Sequence, residues 1–383
     1  MTDEPVHVIR KLEQALRDDD FAWSLMLVGE DQTDKLATLT GDLRGPHSET
    51  GDGKQITSGF SYWGIGPTIA WANATNDPFY LVMKAGAESF LRHWRKVRPH
   101  TDKTGFHFVS LGVGTGVKDR TILADMYRKN RDMFYIPVDM SSEMLRMGTL
   151  EPVRGLGFPM SQVLPVQLDF SIADNMGELG QMLARLVGDE PILFTLTGNT
   201  LANFESDLEL LGTITRVLRP QDRLLLEVAS TSSLDQTAAD AAADEYQQTR
   251  AFAEFVTSAL RYNTDLRIED GLIDYRGEVE TNDALLVKIV WQNNTSESMT
   301  MGLPDHTEVT LKPNDTILLY TTRKFSTERL KKLTAECGLT AIEHAHSGFR
   351  YTRRPSPFGL DLLLLAPEGA EVPNLLAEDI WSQ

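Results

Sequence analysis

A single cysteine, Cys337, stands in the 383 residues, so no intrachain disulfide is possible and a reducing, cytoplasmic setting is expected. Positive charge is also scarce. The 37 lysines and arginines face 55 acids, a net charge of −18, which opposes nonspecific attraction to nucleic acid or to an anionic membrane. Long hydrophobic runs are missing: stretches such as Leu360 to Pro367 are too short to cross a bilayer as a helix. The opening MTDEPVHVIR has no apolar run behind a basic cluster, so a secretory leader is not expected. No repeat of 20–50 residues is evident. What remains is 41% hydrophobic and 24% charged, the composition of a folded protein, long enough for about two domains.

The order of apolar patterns predicts how those domains are arranged. Residues 5–40 have roughly helical spacing, and residues 41–59 read as a Gly, Ser and Thr-rich loop. Asp77 to Val97 reads as one helix. Strands are predicted at Phe106 to Leu111, Phe134 to Val138, Val163 to Leu168, Ile192 to Leu196 and Arg223 to Val228, with helices Ile122 to Lys129 and Leu208 to Leu218 among them. Strands alternating with helices imply a parallel sheet covered on both faces. A long helix at Ala238 to Arg261 and strands at Leu285 to Trp291 and Glu308 to Thr321 break that rhythm. It resumes with a helix at Ser326 to Cys337 and a strand at Leu360 to Leu365. The expected fold class is α/β, a doubly wound sheet interrupted by an α+β insertion. Its parts are an N-terminal segment, 1–76, packing on the insertion, a sheet domain at 77–233 completed by 323–383, and an inserted substrate domain at 234–322.

The segment FHFVSLGVGTGVKDRTIL carries the chemistry. Gly112, Gly114 and Gly116 follow a strand and precede a helix, where residues without Cβ allow a sharp turn and close approach of a ligand. A nicotinamide dinucleotide fingerprint needs glycine at position 117, which is Val117 here. The spacing suits S-adenosylmethionine, which has no pyrophosphate. Asp139 ends the next strand, where a carboxylate can accept both ribose hydroxyls. Asp169 and Phe170 follow the third strand, placed to meet the adenine amino group and ring face. Each acid also has a plainer reading: Asp139 as a helix cap and Asp169 as a turn residue.

From about Phe60 to Ala366 these motifs resemble the histidine-specific, S-adenosylmethionine-dependent methyltransferases of the ergothioneine pathway. LGVGTGVKDR looks like that family's glycine turn and carries Lys118 and Arg120 onto its basic pair. IPVDMS and LDFS look like its ribose and adenine segments, and LTGNTLANFE like its signature loop. The resemblance implies a Rossmann-like cofactor unit, with an amino-acid substrate at its junction with the insertion. It implies that Asn203 holds the substrate's amino-acid moiety, Tyr246 grips its carboxylate, and Tyr62 stands near the cofactor and the acceptor.

The sequence also departs from the family. Where the family places a glutamate on imidazole this chain has Tyr320, with Thr322 in place of a nearby serine and Phe79 in place of a tyrosine. Losing an anionic acceptor weakens discrimination for imidazole. Glu227, in LLLEVAS, is an acid the family motif lacks. At a strand end it can pair with an ammonium or guanidinium, or be a solvated surface acid. The expected activity is N-methylation of a free amino acid with a basic side chain, arginine first, with histidine, tryptophan or a related small amine as alternatives. Glu227 and Tyr246 are the candidate catalytic side chains. Tyr62, Asn203, Tyr320 and Thr322 are placed with Tyr246 around the acceptor, and Tyr62 also beside the cofactor.

Other features carry weaker readings. His344 and His346 alternate, so they would share a face if the segment were a strand, but they lack further ligands at a metal-binding spacing, and no metal is expected. Arg350, Arg353 and Arg354 form a local basic group, read as a solvated loop. Trp63, Trp71, Phe79 and Tyr80 suit core packing better than a substrate wall. Two other classes share the fold: a nicotinamide oxidoreductase, disfavoured by Val117, and a cofactor-binding protein without turnover.

Overall fold

The computed structural model describes residues 26–27, 35–45, 53–101, 105–281, 283–351, 354–371 and 380–381. The central strands are β1 (Met26–Leu27), β2 (Lys54–Gln55), β3 (His107–Leu111), β4 (Tyr135–Asp139), β5 (Val166–Gln167), β6 (Ile192–Leu196) and β7 (Arg223–Thr231). β1, β5, β4, β3, β6 and β7 lie side by side in that order, all parallel. β3, β4 and β6 are buried along their whole length and are mostly apolar, as strands covered on both faces must be. Val109 and Leu111 face one core with Leu179 and Met182, while Phe108 faces the other with Trp94 and Ile122. Helices therefore cover both faces.

These helices are α1 (Lys35–Arg44), α2 (Ile65–Thr75), α3 (Leu81–Val97), α4 (Val117–Lys129), α5 (Ser142–Leu156), α6 (Ala173–Val187) and α7 (Asp207–Thr215). Ser141 caps α5 and Ser206 caps α7, each hydroxyl accepting an amide of the first turn at 3.2 Å. The helix predicted over Asp77 to Val97 is present as α3 and starts four residues later, at Leu81, while α2, at Ile65–Thr75, was not predicted. Pro78 has no amide to donate, so the chain turns at Asp77–Tyr80 between α2 and α3. Of the helix predicted over 5–40, only 35–40 lie in a described helix, and the rest falls almost wholly outside the described residues. Leu39 and Leu43 of α1 are buried against the insertion, and Arg44 bonds Asp305 and Thr307.

The insertion holds α8 (Gln236–Gln247), α9 (Arg250–Asn263), β8 (Leu272–Val279), β9 (Ala284–Gln292), β10 (Met299–Gly302), β11 (Glu308–Leu311) and β12 (Thr316–Phe325). The predicted long helix breaks at Thr249, whose backbone is extended, and the break turns Phe252 and Phe255 toward Tyr320. After β12 come α10 (Thr327–Glu336), β13 (Leu339–Tyr351) and β14 (Arg354–Pro367). β13 and β8 were not legible as strands, because both mix polar residues into their alternation.

β7 outlasts its neighbour β6, and there the sheet forks. β14 runs antiparallel along β7 from Leu224 to Thr231. β6 takes the other edge at 223–226, and β12 meets that edge through Phe325 at Ser230. β12 continues antiparallel to β9, and β9 to β8, so the insertion is an outgrowth of the same sheet. The expected division at 322/323 falls inside β12.

Candidate functional site

A cleft of about 540 Å³ opens outside the carboxyl ends of β3, β4 and β6, where doubly wound folds bind ligands. Its floor is the turn between β3 and α4. Gly112, Gly114 and Gly116 all line it with φ between 55° and 73°, a region L side chains rarely enter. Gly116 has a second reason to be glycine. A Cβ there would stand 2.0 Å from the carbonyl oxygen of Gly148 on α5, so the turn and that helix are in backbone contact. The need for Gly148 gave no signal in the sequence.

Asp139, at the end of β4, is nearly buried and lines the cleft. Its Oδ1 accepts the amide of Ser141 at 3.0 Å. Burial raises its pKa to about 7, against the pull of the Ser141, Gly114 and Met140 amides, and the nearby Asp169 charge adds to the rise. Phe170 also lines the cleft, while Asp169 stands outside the lining. One oxygen of Asp169 takes the ammonium of Lys35 at 2.8 Å, and the other takes the amide and hydroxyl of Ser171. Lys35 of α1, unmarked in the sequence, thus sits behind the expected adenine segment. Arg120 is not in the lining itself, but it pairs with Glu151, which is, at 3.1 Å.

At the other end, Asn203 closes the short 3₁₀ turn Thr200–Asn203 after β6. Its Nδ2 donates to Tyr62 Oη at 3.2 Å, and Tyr62 Oη meets Tyr320 Oη at 2.8 Å. Asn203 and Tyr62 line the cleft, and Tyr320 joins it only through Tyr62. Burial pushes both phenols well above the ordinary tyrosine range, so both are neutral. Thr322 and Tyr246 lie deeper. Thr322 accepts from Asn199 Nδ2 at 3.2 Å and bonds the buried Tyr246, whose ring also faces Lys324. Asn199 takes the left-handed conformation, and its Oδ1 accepts the Ala229 amide at 2.7 Å. It ties the signature loop to β7 and β12. The resemblance marked LTGNTLANFE as a loop, but not that role for Asn199.

Glu227 is not at a strand end. β7 runs on to Thr231, leaving the carboxylate fully buried. Its Oε2 takes the ammonium of Lys118 and the amide of Gly198. It is therefore not offered to an acceptor, and Lys118 is the one that lines the cleft. Phe79 is 61% exposed, so it forms no pocket wall. Trp71 does line the cleft, edge-on to Tyr62 with ring centres 5.3 Å apart. Tyr80 is buried against Phe252, and Trp63 packs edge-on to Phe60. Met83, Met140, Met144 and Met147 complete an apolar wall that sequence reasoning missed, although the last three have helical spacing.

His344 and His346 both bond Asp361. The side chains of Arg350, Arg353 and Arg354 lie outside the described residues. No helix among the described residues is long and apolar enough to cross a membrane.

The cleft fits a nucleoside that carries an amino acid. It joins a bare glycine turn, an aromatic ring at Phe170 and a carboxylate at Asp139. Residues 49–350 match the family described as histidine-specific, S-adenosylmethionine-dependent methyltransferases. No curated protein matches the sequence. Among solved structures, an S-adenosylmethionine-dependent methyltransferase from Clostridium acetobutylicum is 12% identical, with 74% of this chain and 92% of that one covered and a TM-score of 0.39. The CcbJ methyltransferase from Streptomyces caelestis is 14% identical, with 85% and 100% covered and a TM-score of 0.36. With a match over most of its length, the chain belongs to the histidine-specific methyltransferase family, and its cofactor is S-adenosylmethionine.

Proposed function

We propose that this methyltransferase modifies the α-amino nitrogen of a free amino acid, and that the acceptor's side chain is aromatic and uncharged. The observation that carries the reading is the chain Asn203–Tyr62–Tyr320 at one end of the cleft. It presents an amide and neutral phenols where a cationic side chain would need an anion. Arginine, expected from Glu227, would have to compete with Lys118 and the Gly198 amide for a carboxylate that is fully buried and outside the cleft lining. The indole- or imidazole-bearing alternatives fit better. Trp71 and Tyr62 supply ring edges and faces, and such contacts reward an aromatic partner.

Bound S-adenosylmethionine supplies an electrophilic methyl group on a sulfonium. The chain must hold the acceptor nitrogen in line with that carbon and keep water away. Asn203 spends its Nδ2 on Tyr62, which leaves its carbonyl oxygen to accept from the acceptor's amine. That amine must be neutral to attack. Neither phenol ionises at neutral pH, so neither acts as a base.

The test is to incubate the protein with methyl-labelled S-adenosylmethionine and each free amino acid in turn, and to locate the label by mass spectrometry. Label on the α-nitrogen of tryptophan, histidine or a related amine is the expected result. Label on the guanidinium of arginine, or no product with any amino acid, rejects the proposal. With the right acceptor, kcat/KM should rise with pH toward the acceptor's own ammonium pKa.

A further inference from the structure

We infer that Glu227 is a positioning residue that holds the Lys118 ammonium in an ion pair and so limits the enzyme's affinity for the carboxylate of its cofactor and product. This rests on the cofactor reading, with the amino-acid end of the nucleoside near Lys118. Lys118 is the second residue of α4, directly after the glycine turn, and it lines the cleft. Its ammonium is held from behind by Glu227, on β7. The other oxygen of Glu227 is buried without a hydrogen-bond partner, so Lys118 and the Gly198 amide are its compensation. Pulling Lys118 away would leave a carboxylate stranded in the core, which is strongly disfavoured. A ligand carboxylate therefore meets an ammonium already paired, and gains less than it would from a free cation.

The same carboxylate couples the two ends of the cleft. Gly198, whose amide Glu227 accepts at 2.8 Å, lines the cleft and begins the turn that leads to Asn203. One buried side chain thus sets the cation beside the glycine turn and the backbone of the loop that faces the acceptor.

The sign of the effect separates this role from a merely structural one. Glu227→Gln keeps the size and an acceptor for the Gly198 amide while removing the charge. The unliganded variant should melt at a lower temperature, because the ion pair between Lys118 and the buried carboxylate is then lost. A ligand carboxylate relieves that cost, so S-adenosylhomocysteine should bind about tenfold more tightly. 5′-Methylthioadenosine, which lacks the amino acid, should bind within about twofold of wild type. Calorimetry with both ligands on wild type, Glu227→Gln, Lys118→Met and the double variant measures this. Tightening for S-adenosylhomocysteine alone, abolished in the double variant, supports the inference. Weaker binding of that ligand, an equal shift for both, or no shift for either overturns it. Wild-type protein that binds neither ligand overturns the cofactor reading, and this inference with it.

Discussion

The two ends of the cleft are built in different ways. The cofactor end comes from one strand–turn–helix–strand stretch, with Gly112 to Gly116, Lys118 and Asp139 on consecutive elements. The end proposed for the acceptor is assembled from segments far apart. Asn203 reaches Tyr62 across 141 positions, and Tyr62 reaches Tyr320 across 258. A locally built end depends on backbone conformation and one carboxylate. A remotely built end depends on how the insertion packs, so its side chains can change while the first end stays constant. Two of the departures, Tyr320 and Thr322, lie on β12 in the insertion, and the glycine turn is intact; Glu227, on β7 behind Lys118, is the departure on the cofactor side.

Mutations should break the two ends separately, and the largest effect is expected at the backbone contact. Gly116→Ala forces a Cβ onto Gly148 in a left-handed conformation, at a cost of about 3 kcal/mol. A large fall in melting temperature and loss of cofactor binding would show it. Gly112→Ala should be milder, since its nearest neighbours would be 3.5 Å away. Equal damage from both would mean that helix packing is not what distinguishes them.

Asp139→Asn comes next. Loss of a charge-assisted bond to ribose should weaken cofactor binding by about 2 kcal/mol, roughly thirtyfold, with acceptor KM unchanged at saturating cofactor. The same residue gives a pH signature. Its raised pKa, about 7, means that the unliganded protein takes up a proton as pH falls through neutrality, while ribose hydroxyls favour the carboxylate. Cofactor affinity should therefore fall below pH 7, by up to about tenfold per unit, and the variant should lose that dependence. In the unliganded protein the sign is opposite. The stability tied to this group is fully present below the ordinary aspartate range and is lost as pH rises through about 7.

Asn203→Ala should raise acceptor KM about fivefold and leave cofactor affinity alone, a loss of roughly 1 kcal/mol. Tyr320→Phe should have the smallest effect, about twofold on acceptor KM, because Tyr62 keeps its bond from Asn203. If Tyr320→Phe instead impaired cofactor binding as strongly as Asp139→Asn, the division between the ends would fail.

What the sequence determined by itself is what depends on neighbours along the chain. The parallel strands, the glycine turn and Asp139 at a strand end all follow from short-range spacing, because strand–turn–helix geometry places those residues whatever the rest of the protein does. The tertiary structure decided the rest. Glu227 read as a strand-end acid until β14 and β12 lengthened β7 past it, and Lys118 then turned it into a buried partner. Asp169 read as an adenine contact or a turn residue, and only the packed fold showed Lys35 of α1 on one of its oxygens. Whether a charged side chain faces a ligand or a counterion depends on which distant segment packs against it. Burial makes that pairing obligatory, since a carboxylate removed from water needs a cation or amides to replace it. Local spacing fixes where such a group sits, and only the packed fold decides what it holds.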